Sequence, residues 1–230
     1  MKRYLIAGLA VDMEVSGRTE KQAAAYAAAN DGPADITLAC DVRGVLELNP
    51  LLETFENVEY IGTGALFARE LLKHGGAYLH ASAVVLDGNA YLFSANSGVG
   101  KSTHAAKWCR LFGATYLNDD KPVLRKVDGR WTAYGTPWSG KHDLSSPEGA
   151  VLKGIAFVKR GDENAIKPME TKDALGYFMS QSLWRLESSE SMDIQLGLLE
   201  DILQNIPIWE LTCRDDDEAA YVAYNAMVKG

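Results

Sequence analysis

The pattern of apolar and polar positions is sharpest in the middle of the chain. A mostly apolar run at 77–86 and a second one at 90–94 flank the short polar segment Asp87-Gly88-Asn89. Because Asp-Gly supplies the positive φ angles that tight turns need, this pattern predicts a β-hairpin. A glycine-rich loop follows the second strand, and a helix is predicted for 103–109 directly after it.

The second half of the chain continues as alternating strands and helices. A second hairpin is predicted around Asp128-Gly129, and 135–146 reads as an irregular loop. The remaining predicted elements are strands at 114–117, 152–158 and 207–211, helices at 171–186 and 191–205, and a last helix from about Asp216.

The first 60 residues carry the weakest pattern. Short strands are predicted at 4–7 and 35–39, with an alanine-rich helix at 21–29 between them. No candidate for catalysis stands out in this part, so 1–75 is predicted to be a covering or dimerising module and 76–230 the functional core. The pattern is also compatible with one continuous domain over 1–230. It does not determine whether the chain forms a homo-oligomer.

Composition narrows the function classes. The chain has 31 acidic and 23 basic side chains, so its net charge is −8. A negative net charge disfavours electrostatic binding to nucleic acid or to anionic lipid. The sequence contains no apolar run long enough to span a bilayer, so no membrane partner is expected. The widely spaced Cys40, Cys109 and Cys213 are typical of free thiols in a reducing compartment, which makes the cytoplasm the expected localisation.

The strongest functional signal is the segment Ala95-Asn96-Ser97-Gly98-Val99-Gly100-Lys101-Ser102. It fits the P-loop (Walker A) pattern G-x-x-x-x-G-K-S/T except that alanine occupies the first position. Its two glycines let the backbone curl so that N–H groups converge on phosphate oxygens. Lys101 is predicted to reach the β- and γ-phosphates and Ser102 to ligate Mg²⁺, while Thr103 lies in the helix whose positive end faces the phosphates. ATP and Mg²⁺ are therefore the predicted cofactors.

A histidine and two acidic residues are predicted to lie beside this loop. His80 lies in the strand before the P-loop strand, and Asp119-Asp120 follow a short strand after it. Ligands of α/β sheets collect at the carboxyl ends of strands. One acidic side chain there can hold Mg²⁺, and the other can accept a proton from an attacking hydroxyl. The alternative interpretation is a structural core histidine and a turn-forming aspartate pair.

Together, His80-Ala81-Ser82-Ala83, the loop at 95–102 and Asp119-Asp120 resemble the nucleotide-binding core shared by HPr serine kinase/phosphorylase and ATP-dependent phosphoenolpyruvate carboxykinase. The resemblance covers roughly residues 76–165, and the segments 118–122 and 135–141 resemble an uncharacterised bacterial branch of that superfamily. The resemblance implies that His80 lies near the γ-phosphate and one of the aspartates. It also implies that Asp119 contributes acid–base chemistry and that Asp120 supports the metal.

A second loop, 135–142, combines a cation, an aromatic ring, hydroxyl groups and two glycines. One interpretation is that Lys141 neutralises charge on the transferring phosphoryl group, with Trp138 against the substrate or base. The other is a rigid surface loop with a buried tryptophan and a solvated lysine. Lys121 and Arg160 are further cations that could approach the phosphates.

The sequence thus predicts an α/β fold, a mixed β-sheet with flanking helices around a P-loop. The predicted function is Mg·ATP-dependent transfer of the γ-phosphoryl group to a hydroxyl of a peptide, a protein or a small metabolite. Two alternatives are a nucleotide-binding regulator without transfer activity and a small carboxykinase-like enzyme. The residues predicted to carry catalysis are Asp119, His80, Lys101 and Lys141.

Overall fold

A computed structural model describes residues 1–29, 31–48, 54–182 and 188–230. The strands are β1 (Lys2–Ile6), β2 (Leu9–Met13), β3 (Ile36–Leu38), β4 (Gly76–Tyr78), β5 (Ala81–Leu86), β6 (Asn89–Ser94), β7 (Thr115–Asn118), β8 (Val123–Val127), β9 (Arg130–Tyr134), β10 (Gly149–Arg160), β11 (Ala165–Pro168) and β12 (Ile208–Cys213). The helices are α1 (Gly17–Ala23), α2 (Val42–Leu48), α3 (Phe55–Lys73), α4 (Lys101–Phe112), α5 (Thr171–Gln181), α6 (Ser189–Asn205) and α7 (Asp217–Tyr224).

Both hairpins predicted from the sequence are confirmed. β5 pairs antiparallel with β6, and β8 pairs antiparallel with β9. Each turn consists of an Asp-Gly pair with positive φ, 50° and 74° at Asp87-Gly88 and 49° and 76° at Asp128-Gly129. Two consecutive positive φ angles match the twist of the flanking strands, which is why this dipeptide closes both turns.

The predicted α/β class is also confirmed. The large sheet is mixed, with the order β4-β8-β9-β10-β6-β5-β7, and β12 and β11 extend it beyond β10. β10 changes neighbours along its length: it pairs with β9 through 149–151 and with β12 from Ile155 onward, while β6 lies parallel to it. This exchange of partners lets the sheet curl around the helices that cover it.

Strand directions bring the predicted site residues to one edge of the sheet. β5 is antiparallel to both β6 and β7, so the carboxyl ends of β6 and β7 lie at the same edge as the amino end of β5. The P-loop follows β6, Asp119 and Asp120 follow β7, and His80 directly precedes β5. The carboxyl ends of β10 and β12 reach the same edge because both strands run parallel to β6.

Helices cover both faces of the large sheet. On one face Trp108 of α4 packs against Phe93 and Tyr91 of β6. On the other face Phe178 of α5 packs edge-on against Phe157 of β10. Burying these aromatic side chains anchors α4 and α5 on opposite sides of the P-loop strand.

The N-terminal part forms its own small sheet, β1-β2-β3, with α1 and α3 beside it. The predicted strands at 4–7 and 35–39 are confirmed as β1 and β3, whereas β2 was not predicted. The helix predicted at 21–29 starts earlier, at Gly17, and is followed by a short helical turn, Ala24–Tyr26. Buried side chains of this part share one hydrophobic cluster with Val123 and Trp138, so its core is continuous with that of the large sheet.

Two further expectations differ from the structure. The strand expected at 77–86 is interrupted at Leu79–His80, because β4 pairs with β8 whereas β5 pairs with β6 and β7. The helix expected at 171–186 ends at Gln181, and the last part of that prediction, 183–186, lies outside the described residues. Within the described ranges, no helix is long and apolar enough to cross a membrane.

Candidate active site

The P-loop connects the end of β6 to the start of α4. Gly98 and Gly100 have φ angles of 79° and 125°, which side-chain-bearing residues rarely adopt. Gly100 is the N-cap of α4 and no side chain caps this helix, so the amides of its first turn are free for a ligand. Ala95 is buried, whereas Asn96 and the two residues after it are exposed. A loop of this shape at a helix N-terminus can bind a phosphate group, and we refer to it as the phosphate cradle.

Arg160, at the carboxyl end of β10, holds this loop from the side. Its Nη2 atom donates to the carbonyl of Gly98 at 2.8 Å, and its Nε atom donates to the carbonyl of Val99 at 3.1 Å. The guanidinium therefore fixes the curl of the loop through backbone oxygens, while the Val99 amide donates within the loop to the Asn96 carbonyl at 3.2 Å. Sequence reasoning named Arg160 only as a cation that could approach the phosphates; its contact to the loop depends on the pairing of β10 with β6.

His80 and Asp120 form a pair next to the P-loop lysine. His80 Nε2 lies 3.0 Å from Asp120 Oδ1, and Lys101 Nζ lies 3.7 Å from the same oxygen. Lys121 Nζ lies 3.7 Å from the other carboxylate oxygen. Burial acts to raise the pKa of Asp120, but the hydrogen bond and charge of His80 and the charges of the two lysines outweigh it and lower this pKa below its ordinary value.

Gln181, the last residue of α5, holds the other side of the imidazole. Its Oε1 atom lies 3.0 Å from His80 Nδ1, and its Nε2 atom donates to Asn96 Oδ1 in the P-loop at 2.6 Å. The His80 amide also donates to the Gln181 carbonyl at 2.8 Å. Gln181 thus links the loop to the His80–Asp120 pair. Sequence reasoning missed it, since nothing in the local pattern of 171–186 marks one glutamine.

The two neighbouring aspartates point to different places. The Asp119 side chain is buried, accepts a hydrogen bond from the Gly140 amide, and lies 3.4 Å from the His142 amide nitrogen. Burial raises the pKa of Asp119, while the two amides oppose that shift by favouring the charged form. The chain turns here because Asn118 Oδ1 accepts hydrogen bonds from the amides of Asp120 and Lys121. Asp119 therefore anchors the second loop, and Asp120 faces the P-loop.

Ser102 meets Ser82 at the start of α4. The two hydroxyl oxygens lie 3.2 Å apart, and Ser82 Oγ donates to the Asp119 carbonyl at 2.9 Å. Ser82 lies in β5, two residues after His80, which directly precedes this strand. In the described part of the chain, no group of three or more His, Cys, Asp or Glu side chains could hold a metal ion by itself. The Ser102 hydroxyl fits Mg²⁺, which in phosphate sites takes few protein oxygens beside phosphate oxygens and water.

The second loop packs its aromatic residue inward. Trp138 is buried, stacks on Phe67 of α3 with ring centroids 5.0 Å apart, and donates to Thr63 Oγ1 at 3.1 Å. A Cβ atom at Gly64 would lie 3.0 Å from this indole, so a glycine permits the close approach of α3. The buried-tryptophan interpretation of this loop thus fits the structure. Lys141 is exposed and has no hydrogen-bond or ion-pair partner among the described residues.

A cavity of about 430 Å³ lies beside the P-loop. It is bounded by the start of α4 with Val99, Gly100 and Thr103, and by residues at the ends of β10 and β12, including Arg160 and Cys213. Clefts at the carboxyl ends of parallel strands are the usual ligand positions of α/β sheets. The cavity therefore adjoins the phosphate cradle on the side of β10 and β12.

Comparison with known proteins adds a distant structural likeness. No protein-family model matches the chain, and no curated protein matches its sequence. Among solved structures, the chain is similar to the Hpr(Ser) kinase/phosphatase of Coxiella burnetii at 13% identity and a TM-score of 0.38. The match covers 66% of this chain and 97% of that one.

Proposed function

We propose that the protein is a Mg·ATP-dependent kinase that transfers the γ-phosphoryl group of ATP to a hydroxyl. The observation that carries this proposal is the meeting of the P-loop lysine, Lys101, with the His80–Asp120 pair at one sheet edge. A phosphate cradle alone is sufficient for a nucleotide-binding regulator. A carboxylate paired with an imidazole beside that cradle can also take a proton, which a transferase needs and a regulator does not.

The nucleotide occupies the cradle and the adjoining cavity. Amides of Gly98 and of 100–103 bind the phosphates, and Lys101 neutralises charge on the β- and γ-phosphates. The nucleoside lies in the cavity beside α4, whose volume of about 430 Å³ falls in the range of small-molecule sites. The motifs support this assignment independently, since they resemble those of HPr serine kinase/phosphorylase and ATP-dependent phosphoenolpyruvate carboxykinase.

Ser102 holds the metal ion, which when bound neutralises charge on the phosphates. The sequence predicted Asp120 as a second metal ligand. We propose a different role for it, because basic nitrogens of His80, Lys101 and Lys121 lie within 3.0–3.7 Å of its carboxylate and compete with a cation.

Asp120 with His80 takes the proton of the acceptor hydroxyl. As this proton leaves, the hydroxyl oxygen bonds to the γ-phosphorus, and the bond between that phosphorus and the bridging oxygen of ADP breaks. His80, Lys101 and Lys121 lower the pKa of Asp120, so its carboxylate is in the ionised form, which is the form that can accept a proton. Asp119, predicted from the resemblance as the acid–base residue, is proposed instead to position the loop that carries Lys141, through its contacts to Gly140 and His142.

Calorimetry of ATP binding with and without Mg²⁺ tests this function. We expect Mg²⁺-dependent binding that is lost in Lys101→Ala and kept in Lys153→Ala, which removes an exposed lysine of β10 as a matched control. Transfer of labelled phosphate to an acceptor, abolished by Asp120→Asn with nucleotide binding intact, completes the assignment. Absence of ATP binding by the wild-type protein contradicts it. Binding without any effect of Asp120→Asn on the protein's output indicates a regulator, and ATP-dependent conversion of oxaloacetate to phosphoenolpyruvate indicates a carboxykinase.

A further inference from the structure

A second cleft lies between the N-terminal part and the second loop. Its volume is about 490 Å³. α1 and α3 contribute Arg18, Asn57, Tyr60 and Ile61 to one wall. Lys121 and the segment 139–143 form the other wall, so the cleft exists only because both parts of the chain meet.

The cleft is connected through Lys121 to Asp120, the proton-accepting residue of the proposed kinase. Lys121 lines it, and Lys121 Nζ lies 3.7 Å from Asp120 Oδ2. The opposite carboxylate oxygen of Asp120 faces His80 and Lys101. Asp120 therefore lies between the phosphate cradle on one side and this cleft on the other, which is the relation that a phosphoryl acceptor requires.

The charge of the cleft is opposite to that of the whole protein. Arg18, Lys121 and Lys141 line it against one acidic residue, Asp143, whereas the chain as a whole carries a net charge of −8. Arg18 Nη2 already pairs with Asp143 at 3.2 Å. The charge of Lys141 has no partner among the described residues, and within the same ranges Lys121 has one ion-pair partner, Asp120.

Tyr60 holds two of these cations in place. The Arg18 guanidinium lies 4.3 Å and Lys121 Nζ 5.3 Å from the centroid of its ring, within reach of a cation–π interaction. The Tyr60 hydroxyl donates to the Ser139 carbonyl at 2.6 Å, which fixes the ring against the second loop. Burial raises the pKa of Tyr60 to about 12, so the phenol stays neutral and adds no negative charge.

We propose that this cleft binds the phosphoryl acceptor, and that the acceptor carries a carboxylate or phosphate group beside its hydroxyl. The inference rests on the proposed kinase function and names its substrate class. Lys141 and Lys121 bind the anionic group, and the hydroxyl then lies next to Asp120. Cations are needed at this point because an anionic acceptor and the γ-phosphate otherwise repel each other. The N-terminal part is thus one wall of the acceptor site as well as a cover.

Two matched pairs of probes test whether the cleft selects for charge. The first pair is glycerate and glycerol, which share hydroxyl groups and differ in the carboxylate. The second pair is two serine peptides of equal length, one rich in glutamate and one rich in glutamine. Calorimetry with the ADP·Mg²⁺-loaded protein measures binding, and labelled ATP measures transfer. We expect the acidic member of at least one pair to bind about 10-fold or more tightly than its neutral partner, and the pair that responds distinguishes a small hydroxy acid from an acidic peptide.

Variants connect this preference to the cleft. Lys141→Gln and Lys121→Gln are expected to reduce the preference for the acidic member several-fold, whereas Lys153→Gln leaves it unchanged. Equal binding of the two members of both pairs, including no binding of either, overturns the inference, as does a preference that survives in the double variant. ATP·Mg²⁺ binding is measured in every variant. Its absence in the wild-type protein is a failure of the kinase proposal, whereas intact ATP binding without charge selection is a failure of the acceptor inference alone.

Discussion

Gln181 Oε1 lies 3.0 Å from His80 Nδ1, the ring nitrogen that faces away from Asp120. Because Gln181 Nε2 donates to Asn96, its oxygen is left to accept a hydrogen bond from His80 Nδ1. The other ring nitrogen, His80 Nε2, then faces the Asp120 carboxylate at 3.0 Å. One amide group thus orients the imidazole and ties its position to that of the P-loop.

Replacing Gln181 with alanine is expected to lower kcat about 10-fold to 100-fold, because the His80 ring loses the contact that orients it. The Kd for Mg·ATP should change less than about threefold, since the cradle amides remain. Gln181→Glu keeps an acceptor for His80 Nδ1 and should restore part of kcat. Gln195→Ala is the control: Gln195 is similarly buried but lies on α6, away from His80. A kcat unaffected by Gln181→Ala, or lowered equally by Gln195→Ala, contradicts a positioning role.

Because the side chains of Asp119 and Asp120 point to different places, replacing each with asparagine is expected to have a different effect on kinetics and stability. Asp120→Asn should lower kcat about 100-fold or more at nearly unchanged nucleotide affinity, because the proton acceptor is lost. Asp119→Asn should mainly raise KM for the acceptor and lower the free energy of unfolding by about 1 kcal/mol, since it weakens the contacts to the Gly140 and His142 amides. Steady-state kinetics and urea unfolding of both variants check this. The reverse pattern, with kcat lost in Asp119→Asn alone, restores the roles implied by the resemblance.

Variants of Arg160 test whether its hydrogen bonds to the P-loop backbone contribute to nucleotide affinity. Arg160→Gln removes two hydrogen bonds to the carbonyls of Gly98 and Val99. At this exposed position they contribute about 1 kcal/mol, so the Kd for Mg·ATP should rise about fivefold. Arg160→Lys keeps the charge but cannot bridge both carbonyls, and it should rescue binding only in part. Arg110→Gln, which removes an exposed arginine of α4 paired with Asp217, is the control. If Arg160→Lys binds Mg·ATP as tightly as the wild type, the positive charge at this position is what matters, and the paired hydrogen bonds to the Gly98 and Val99 carbonyls are not needed.

The contrast between Asp119 and Gln181 shows what sequence reasoning reached and what it did not. The P-loop, its strand and its helix were predictable because a local spacing encodes them, and so were both Asp-Gly hairpins. The placement of His80, Lys101 and Asp120 at one edge of the sheet was also predictable, because it follows from the pairing of the hairpin strands and from the direction of each strand. The different directions of Asp119 and Asp120 depend on Asn118 capturing two amides, and the position of Gln181 depends on how α5 packs on the sheet. Such contacts join residues far apart in the chain, so no local pattern marks them.

His104, in the first turn of α4, predicts how stability depends on pH. Burial lowers the pKa of His104 to about 3 in the folded protein, against an ordinary value of 6.5. Its Nε2 atom accepts a hydrogen bond from Trp108 Nε1 at 3.2 Å, which requires the neutral ring. Between these two pKa values the unfolded chain binds a proton that the folded chain does not, so stability falls as the pH drops below about 6.5. At pH 5 the loss is about 2 kcal/mol.

His104→Gln removes the titrating group and keeps an acceptor for Trp108, so it should flatten the dependence of the unfolding free energy on pH between about 4 and 6.5. Urea unfolding of the wild type and the variant at several pH values measures this. His142→Gln is the matched control, because His142 is exposed on the second loop and only its backbone contacts Asp119. Its profile should follow the wild type. A wild-type profile that is flat through this range, or a slope unchanged by His104→Gln, would show that a proton reaches this buried ring without unfolding the helix that carries the P-loop.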